Sequence, residues 1–477
     1  MRKILYAGGE ILPFAATGGL GDVLGSLPEA VKRANPDFDV RVVMPLYSKV
    51  SAVWREQMKF ERWIMVNVSW RTQSCGIYSL VKNGVKYYFL DNENYFNRDN
   101  LYGENDDAER FAFFSYAVLD LMAAVDFYPD IYHANDWQTA MSVVELKHTY
   151  SGSEQYRNVK AIYTIHNIDY QGVFGMELFS DVFGFESHMR GLVEYDGNIN
   201  LTKAAVECAD FVTTVSPRYA QEIQTEYYSN GLHHILRQYS FKLDGIINGI
   251  DTELNSPENV SDIPFRFTTR GLTGKAKNKA ELQRRFGLEE RPDVPVIAMI
   301  SRLASHKGFD LVMRIADELM EDDVQFILLG TGEKQYEEFF AEFAKRHPGK
   351  AGISIAYDRT LSKLIYAGAD MFLMPSKSEA CGLAQMIASR YGTVPIVRET
   401  GGLYDTIKPY GPDGAGNGFT FAAYNAHDML YVIREAEEIY RDSAKWKTLV
   451  RKIMKIDFSW DNSARKYVEM YERVFKG

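Results

Sequence analysis

One turn of the sequence gathers residue types that hold sugars and phosphates: Pro375-Ser376-Lys377-Ser378-Glu379-Ala380-Cys381-Gly382-Leu383. The apolar run at 370–374 reads as a buried strand, and the alternation at 384–391 reads as a helix. Glu379 is therefore expected in a strand-to-helix turn, with Cys381 and Gly382 at the helix start. Unpaired N–H groups and the helix dipole favour negative charge there, and a glycine lets backbone approach a ligand. From these residues alone, Glu379 reads equally as a solvated first-turn acid. A cationic loop, Ser301-Arg302-Leu303-Ala304-Ser305-His306-Lys307-Gly308, follows the apolar run 294–300. Its Arg302 and Lys307 suit a diphosphate, or an ordinary salt-bridged loop. Near the N-terminus, Thr17-Gly18-Gly19-Leu20-Gly21-Asp22-Val23 joins a strand at 3–7 to a helix whose Leu20, Val23, Leu24, Leu27 and Val31 share a face. That is phosphate-cradle geometry, although the dinucleotide fingerprint is incomplete and the loop too long, so no NAD site is expected. His133, Asp136 and His166 fall at the ends of runs 130–135 and 161–165 or just after them, where one sheet edge can bring them together. Tyr357, after 353–356, is placed to stack on a planar base.

Two successive strand–helix alternations can position these residues. In the first half, strands are expected at 3–7, 39–46, 85–90, 130–135, 161–165 and 211–215, with a long helix at 107–125. Ser216 is the expected N-cap of a helix begun by Pro217. Tyr95 lies in a polar, aromatic loop at 91–103, and residues 255–273 read as a crossover. Strands at 294–300, 324–329, 353–356, 370–374 and 394–397 make the second half, and 428–475 is helical with a break at 457–460. The expected fold is α/β: two doubly wound Rossmann-like domains facing a cleft. The net charge of −10, without a long basic run, argues against nucleic acid or an anionic membrane as partner. Three scattered cysteines, Cys75, Cys208 and Cys381, give neither a disulfide framework nor a zinc cluster. With no long apolar segment and no signal peptide, a cytoplasmic location is expected.

Taken together, the motifs resemble those of bacterial glycogen synthases and plant starch synthases, retaining glucosyltransferases of the GT-B fold. The carriers run in family order over nearly the whole chain: Thr17-Gly-Gly-Leu20, Asp107-Ala-Glu-Arg-Phe-Ala112, Asp136-Trp137, His166-Asn167, Tyr170-Gln-Gly172, Val215-Ser-Pro217, Asn248-Gly-Ile-Asp251, Ser301-Arg-Leu303, Lys307-Gly308, Glu379-Ala-Cys-Gly-Leu383, Thr400-Gly-Gly-Leu403 and Asp457-Phe-Ser-Trp460. The resemblance implies an acceptor domain at 1–252, a donor domain at 253–456, and a helix at 457–477 packing back on the first domain. It implies a nucleotide sugar, ADP-glucose or UDP-glucose, and the non-reducing end of an α-1,4-glucan as substrates, with no cofactor or metal. Catalytic roles would fall to Glu379, His166, Arg302 and Lys307. Donor contacts would come from Gly18, Gly19, Asn248, Arg302, Lys307, Tyr357, Glu379, Cys381, Gly382 and Leu383. Asp22, Tyr95, Asp136 and Asn167 would line the acceptor region. The sequence departs from the family pattern at Ala16, where the family has Lys, at Asn135 and Gln138, where it has His, and at Ser378 and Ala380, where it has Phe and Pro. A glucan- or nucleotide-binding regulator, or a related enzyme with another acceptor, is the alternative reading.

Overall fold

In the computed structural model, which describes residues 2–259 and 261–476, the chain divides into two compact units. One runs to Gly249 and resumes at Trp460; the other is Ile250–Ser459.

The first unit is built on a nine-stranded sheet. Its strands, with those of a small side sheet, are β1 Arg2–Ala7, β2 Phe38–Pro45, β3 Lys59–Val68, β4 Arg71–Lys82, β5 Val85–Asp91, β6 Ile131–Asn135, β7 Lys160–Ile165, β8 Val173–Gly175, β9 Glu194–Tyr195, β10 Asn198–Asn200, β11 Phe211–Thr214 and β12 Leu243–Gly245. The order across the large sheet is β12-β11-β7-β6-β1-β2-β5-β4-β3. From β5 to β12 every pairing is parallel, and the strands are near-continuous apolar runs buried on both faces. The sequence reading passed over residues 47–84, which form the antiparallel hairpin β3–β4 at the sheet edge. Ser216 caps Pro217–Glu222 as expected, its hydroxyl accepting the Tyr219 amide.

The second unit is a fully parallel six-stranded sheet: β13 Val296–Ile300, β14 Gln325–Gly330, β15 Ala351–Ile355, β16 Met371–Met374, β17 Val394–Arg398 and β18 Phe419–Phe421. Its order is β15-β14-β13-β16-β17-β18. Numbered within the unit this is 3-2-1-4-5-6, the doubly wound order whose reversal point lies between the first and fourth strands. The parallel part of the first sheet follows the same rule, reversing between β1 and β6.

The last helix, Trp460–Lys476, belongs to the first unit. It buries Trp460, Ala464, Tyr467, Met470, Tyr471 and Val474. The Tyr471 hydroxyl meets that of Tyr6 on β1 and Nδ1 of His133 on β6, the latter at 2.8 Å. Ser463 adds a hydrogen bond to the Ile247 carbonyl at 2.7 Å. Removing the hydroxyl strands a buried histidine nitrogen and a buried tyrosine. Tyr471→Phe is therefore expected to lower the unfolding free energy of the first unit by roughly 1–3 kcal/mol in urea titrations; an unchanged transition would contradict this pinning.

Candidate active site

The two reversal points carry the chemistry. In the second unit, the loops after β13 and β16 diverge from adjacent strands. They bring Lys307 and Glu379 together across 72 residues of sequence: Nζ lies 2.9 Å from Oε1 and 2.7 Å from Oε2. The Ser376 hydroxyl donates to Oε2 at 3.0 Å. Burial works against ionising Glu379, but the Lys307 charge and the hydrogen bonds from Lys307 and Ser376 outweigh it and hold the carboxyl below its usual range. Arg302, on the same loop as Lys307, is exposed. The exposed Tyr357 follows β15, with 90% of its surface open.

Close backbone approaches set this geometry. Gly308, at φ +78°, packs where any side chain would strike the Pro375 carbonyl, and Lys377 N–H donates to the His306 carbonyl at 2.8 Å. Gly401 and Gly402 pack likewise on the carbonyls of Glu379 and Cys381. Gly402 N–H lies 3.2 Å from the Glu379 carbonyl. Arg398 donates to the Lys377 carbonyl at 2.8 Å, and Gln385 braces the turn through the carbonyls of Cys381 and Gly382 at 3.1 and 2.9 Å. One expectation is corrected here. Cys381 and Gly382 precede the helix instead of starting it: Leu383 is the N-cap and the helix is Ala384–Arg390. Gly382 at φ +72° explains why, since this left-handed residue cannot belong to the helix. Cys381 itself is buried.

In the first unit, the reversal point joins the loop after β1 to the turns after β6 and β7. Asp136 sits at φ +58°, ψ 177°, a region costly for any residue with a Cβ. Its Oδ1 accepts the His166 amide at 2.7 Å. Burial, reinforced by the charge of Glu10, raises its carboxyl to about 7, against the pull of the His166 and Asn167 amides. The Asn135 amide nitrogen is fixed by the carbonyls of Ala7 and His133 at 3.1 and 3.0 Å, so its Oδ1 must accept from His166 Nε2 at 2.9 Å. His166 Nε2 therefore carries the proton and Nδ1 keeps its lone pair. Burial lowers His166 to about 3, so the ring is neutral.

Glu10 was not singled out from sequence. It is buried at 2% exposure, accepts Thr17 N–H at 2.6 Å, the Thr17 hydroxyl at 2.8 Å and Gly21 N–H at 3.3 Å, and meets the Tyr102 hydroxyl at 3.4 Å. It therefore fastens the glycine loop from behind, while Gly18 and Gly19, at the start of helix Gly19–Ala34, remain exposed. Ala16 packs so closely on Gly21 that a Cβ there would collide with its own. Asp22 lies exposed in the helix's first turn, Asn167 is half-buried with its Oδ1 on Asp169 N–H, and Asn248 is buried with no partner for its Oδ1 among the described residues.

Two expectations change. His133 does not join Asp136 and His166 at the strand end: it is fully buried between Tyr471 and Thr164, with Nε2 2.6 Å from the Thr164 hydroxyl. Tyr95 lines no open surface; it is buried against Phe113, with its hydroxyl on Glu109.

A family model described as "Starch synthase catalytic domain" matches residues 3–238, and one described as "Glycosyl transferases group 1" matches residues 281–452. The glycogen synthase of Clostridioides difficile is 45% identical, covering 99% of both chains. That of Bacillus cereus is 44% identical, covering 99% of this chain and 100% of the relative. The chain belongs to the glycogen and starch synthase family. Among solved structures, the catalytic domain of starch synthase IV from Arabidopsis thaliana, bound to ADP and acarbose, matches with a TM-score of 0.90 and 32% identity over 100% of this chain and 99% of that one. Sucrose-phosphate synthase from Thermosynechococcus elongatus shares the fold, with a TM-score of 0.62 at 16% identity over 100% of both chains. The two Rossmann-like units are thus those of a GT-B glycosyltransferase. Within the glycogen and starch synthase family this member orients His166 with an asparagine, Asn135.

The Asp136 shift has a signed consequence. Between the ordinary carboxyl value and about 7, the folded chain binds a proton that the unfolded chain does not. Asp136 therefore withdraws stability as pH rises through that window. Asp136→Asn keeps an acceptor for His166 N–H but cannot titrate. Its stability relative to the parent should be greater at pH 7.5 than at pH 5 in paired urea titrations; a difference independent of pH would contradict the shift.

Proposed function

We propose that this chain transfers glucose from a nucleotide sugar, ADP-glucose or UDP-glucose, to the non-reducing end of an α-1,4-glucan, with retention of configuration. The observation that carries the reading is the Lys307–Glu379 pair at the reversal point of the second sheet, with Arg302 exposed on the same loop. Departure of a nucleoside diphosphate leaves negative charge on one side of the scissile bond and positive charge on the sugar. Arg302 and Lys307 answer the first, and Glu379, held ionised, answers the second while accepting from glucose hydroxyls. Tyr357 offers its open ring to the base. Backbone at Cys381–Leu383, together with Gly18, Gly19 and Asn248, completes the donor contacts. His166, neutral and oriented by Asn135 and Asp136, serves the reacting sugar, with Asp22 and Asn167 on the acceptor side.

The test is glucosyl transfer to glycogen from labelled ADP-glucose and UDP-glucose. Turnover is expected without added metal and unchanged by EDTA, because the two cations supply the charge needed at the diphosphate. Glu379→Gln should reduce it by roughly two orders of magnitude or more, the scale of losing one preorganised electrostatic contact. Glucan binding without transfer from either donor would overturn the reading in favour of a binding protein, and metal-dependent turnover would overturn the assigned phosphate site.

Ala16 generates a second expectation. A lysine there would begin beside the exposed glycines and add one mobile positive charge. Ala16→Lys should lower the KM of both donors by a similar factor, up to about tenfold to a hundredfold for a charge-assisted contact. A gain for one donor alone would assign base selection to this loop, and no gain would remove the loop from the donor phosphates.

A further inference from the structure

The first unit contains a cavity of ≈ 580 Å³ that the reading above does not use. One wall is helix Asp107–Ala124, which contributes Tyr116 and Asp120; another is the segment after helix Trp137–Lys147, with Thr149, Tyr150 and Ser153; the turn between β3 and β4 closes it with Ser69. Its volume falls in the range of small-molecule sites, about 300–1,000 Å³. The lining is hydroxyl-rich, and no lysine or arginine is among the lining residues. One carboxylate faces these hydroxyls: Asp120 Oδ1 accepts from Tyr150 at 2.7 Å, and Oδ2 has no protein partner among the described residues. Tyr116 is held by the Phe183 carbonyl at 2.9 Å and Ser69 by the Ser180 carbonyl at 2.7 Å, so the walls are preset. Gly184, at φ +68°, keeps its wall clear, since a Cβ there would press on Ser69 and the Tyr116 hydroxyl at 3.3 Å.

Beside Ser69, Trp70 is 71% exposed. Its indole N–H donates to Asp181 at 2.7 Å, and the Arg71 guanidinium lies 4.3 Å from its ring centre. The ring is thereby fixed and still offers a large open surface. A fixed aromatic surface beside a neutral, hydroxyl-lined cavity suits the apolar ring faces and hydroxyl rims of a sugar. A phosphorylated sugar would find no cation. Asn67, Thr149, Gly152 and Ser153 on the rim are exposed, so a chain can continue beyond the cavity.

We propose that this cavity is a second binding site for a neutral α-glucan segment, which holds the polymer without taking part in transfer; the identity of the glucan rests on the function proposed above. Two sites for one polymer raise its effective local concentration, whereas a short oligosaccharide gains little from the second.

Gly152→Trp tests this. A Cβ at Gly152 meets nothing within 4 Å, so the substitution fills the mouth without strain. Retention of the variant in glycogen-containing native gels should weaken by about tenfold or more. Its kcat and its KM for maltohexaose and for the donor should equal those of the parent, which also shows that the variant folds. Asp120→Asn, which keeps the shape, should weaken retention in the same direction. Equal retention of parent and both variants would overturn the proposal, as would a maltohexaose KM that rises in step with lost retention. Failure of the functional reading would show separately, as no transfer to maltohexaose by the unaltered chain.

Discussion

The second unit depends on an ion pair that water does not fully reach. Lys307 and Glu379 are respectively 20% and 11% exposed at the side chain. Removing one partner of such a pair leaves an uncompensated charge, and the pair itself is favourable only when its geometry is good and its remaining hydrogen-bonding groups are met. The doubly wound order supplies the first condition by placing β13 beside β16, so that two loops distant in sequence leave the sheet side by side. Ser376 helps to meet the second. The glycines at 308, 401 and 402 then read as steric requirements of one arrangement, because each lets a neighbouring loop approach the turn that bears Glu379.

The first unit solves the same topological problem with different chemistry. There carboxylates hold amides instead of a cation. Glu10 gathers Thr17 and Gly21, and Asp136 gathers His166. Two acids near one another raise the cost of ionising both, which contributes to the elevated Asp136. The strained backbone of Asp136 belongs to this balance: its conformation turns the carboxylate towards the amide of the next strand's end.

Elements were legible from sequence where apolar runs are long and the strand is buried on both faces, as in β1, β6, β13 and β16. Arg302, Lys307 and Glu379 were legible as charged residues at strand ends. Their meeting was not, because adjacency of β13 and β16 is a property of strand order. The hairpin β3–β4 was missed because its outer strand exposes Phe60, Trp63 and Met65, which blurs the period-two signal. Tyr95 looked like a surface aromatic in a polar loop, yet the Asn92 side chain caps Glu93–Phe96 and the turn buries it against Phe113. His133 lies two residues, about 7 Å, down its strand from the turn that holds Asp136. The helix that covers it there comes from 338 residues away. Glu10 read as an ordinary loop acid because nothing local reveals that its partners are amides.

The final helix also bears on how the chain is made. The second unit is one continuous segment, Ile250–Ser459, and can close as soon as it has left the ribosome. The first unit cannot: Tyr6 and His133 wait for Tyr471, six residues from the end. Domains usually fold in the order of synthesis, at about 5–20 residues per second. Here the half translated first is completed last, and its apolar sheet face stays uncovered for the tens of seconds needed to translate the other half. The sequence thus assigns the nascent first unit the longer dependence on chaperones.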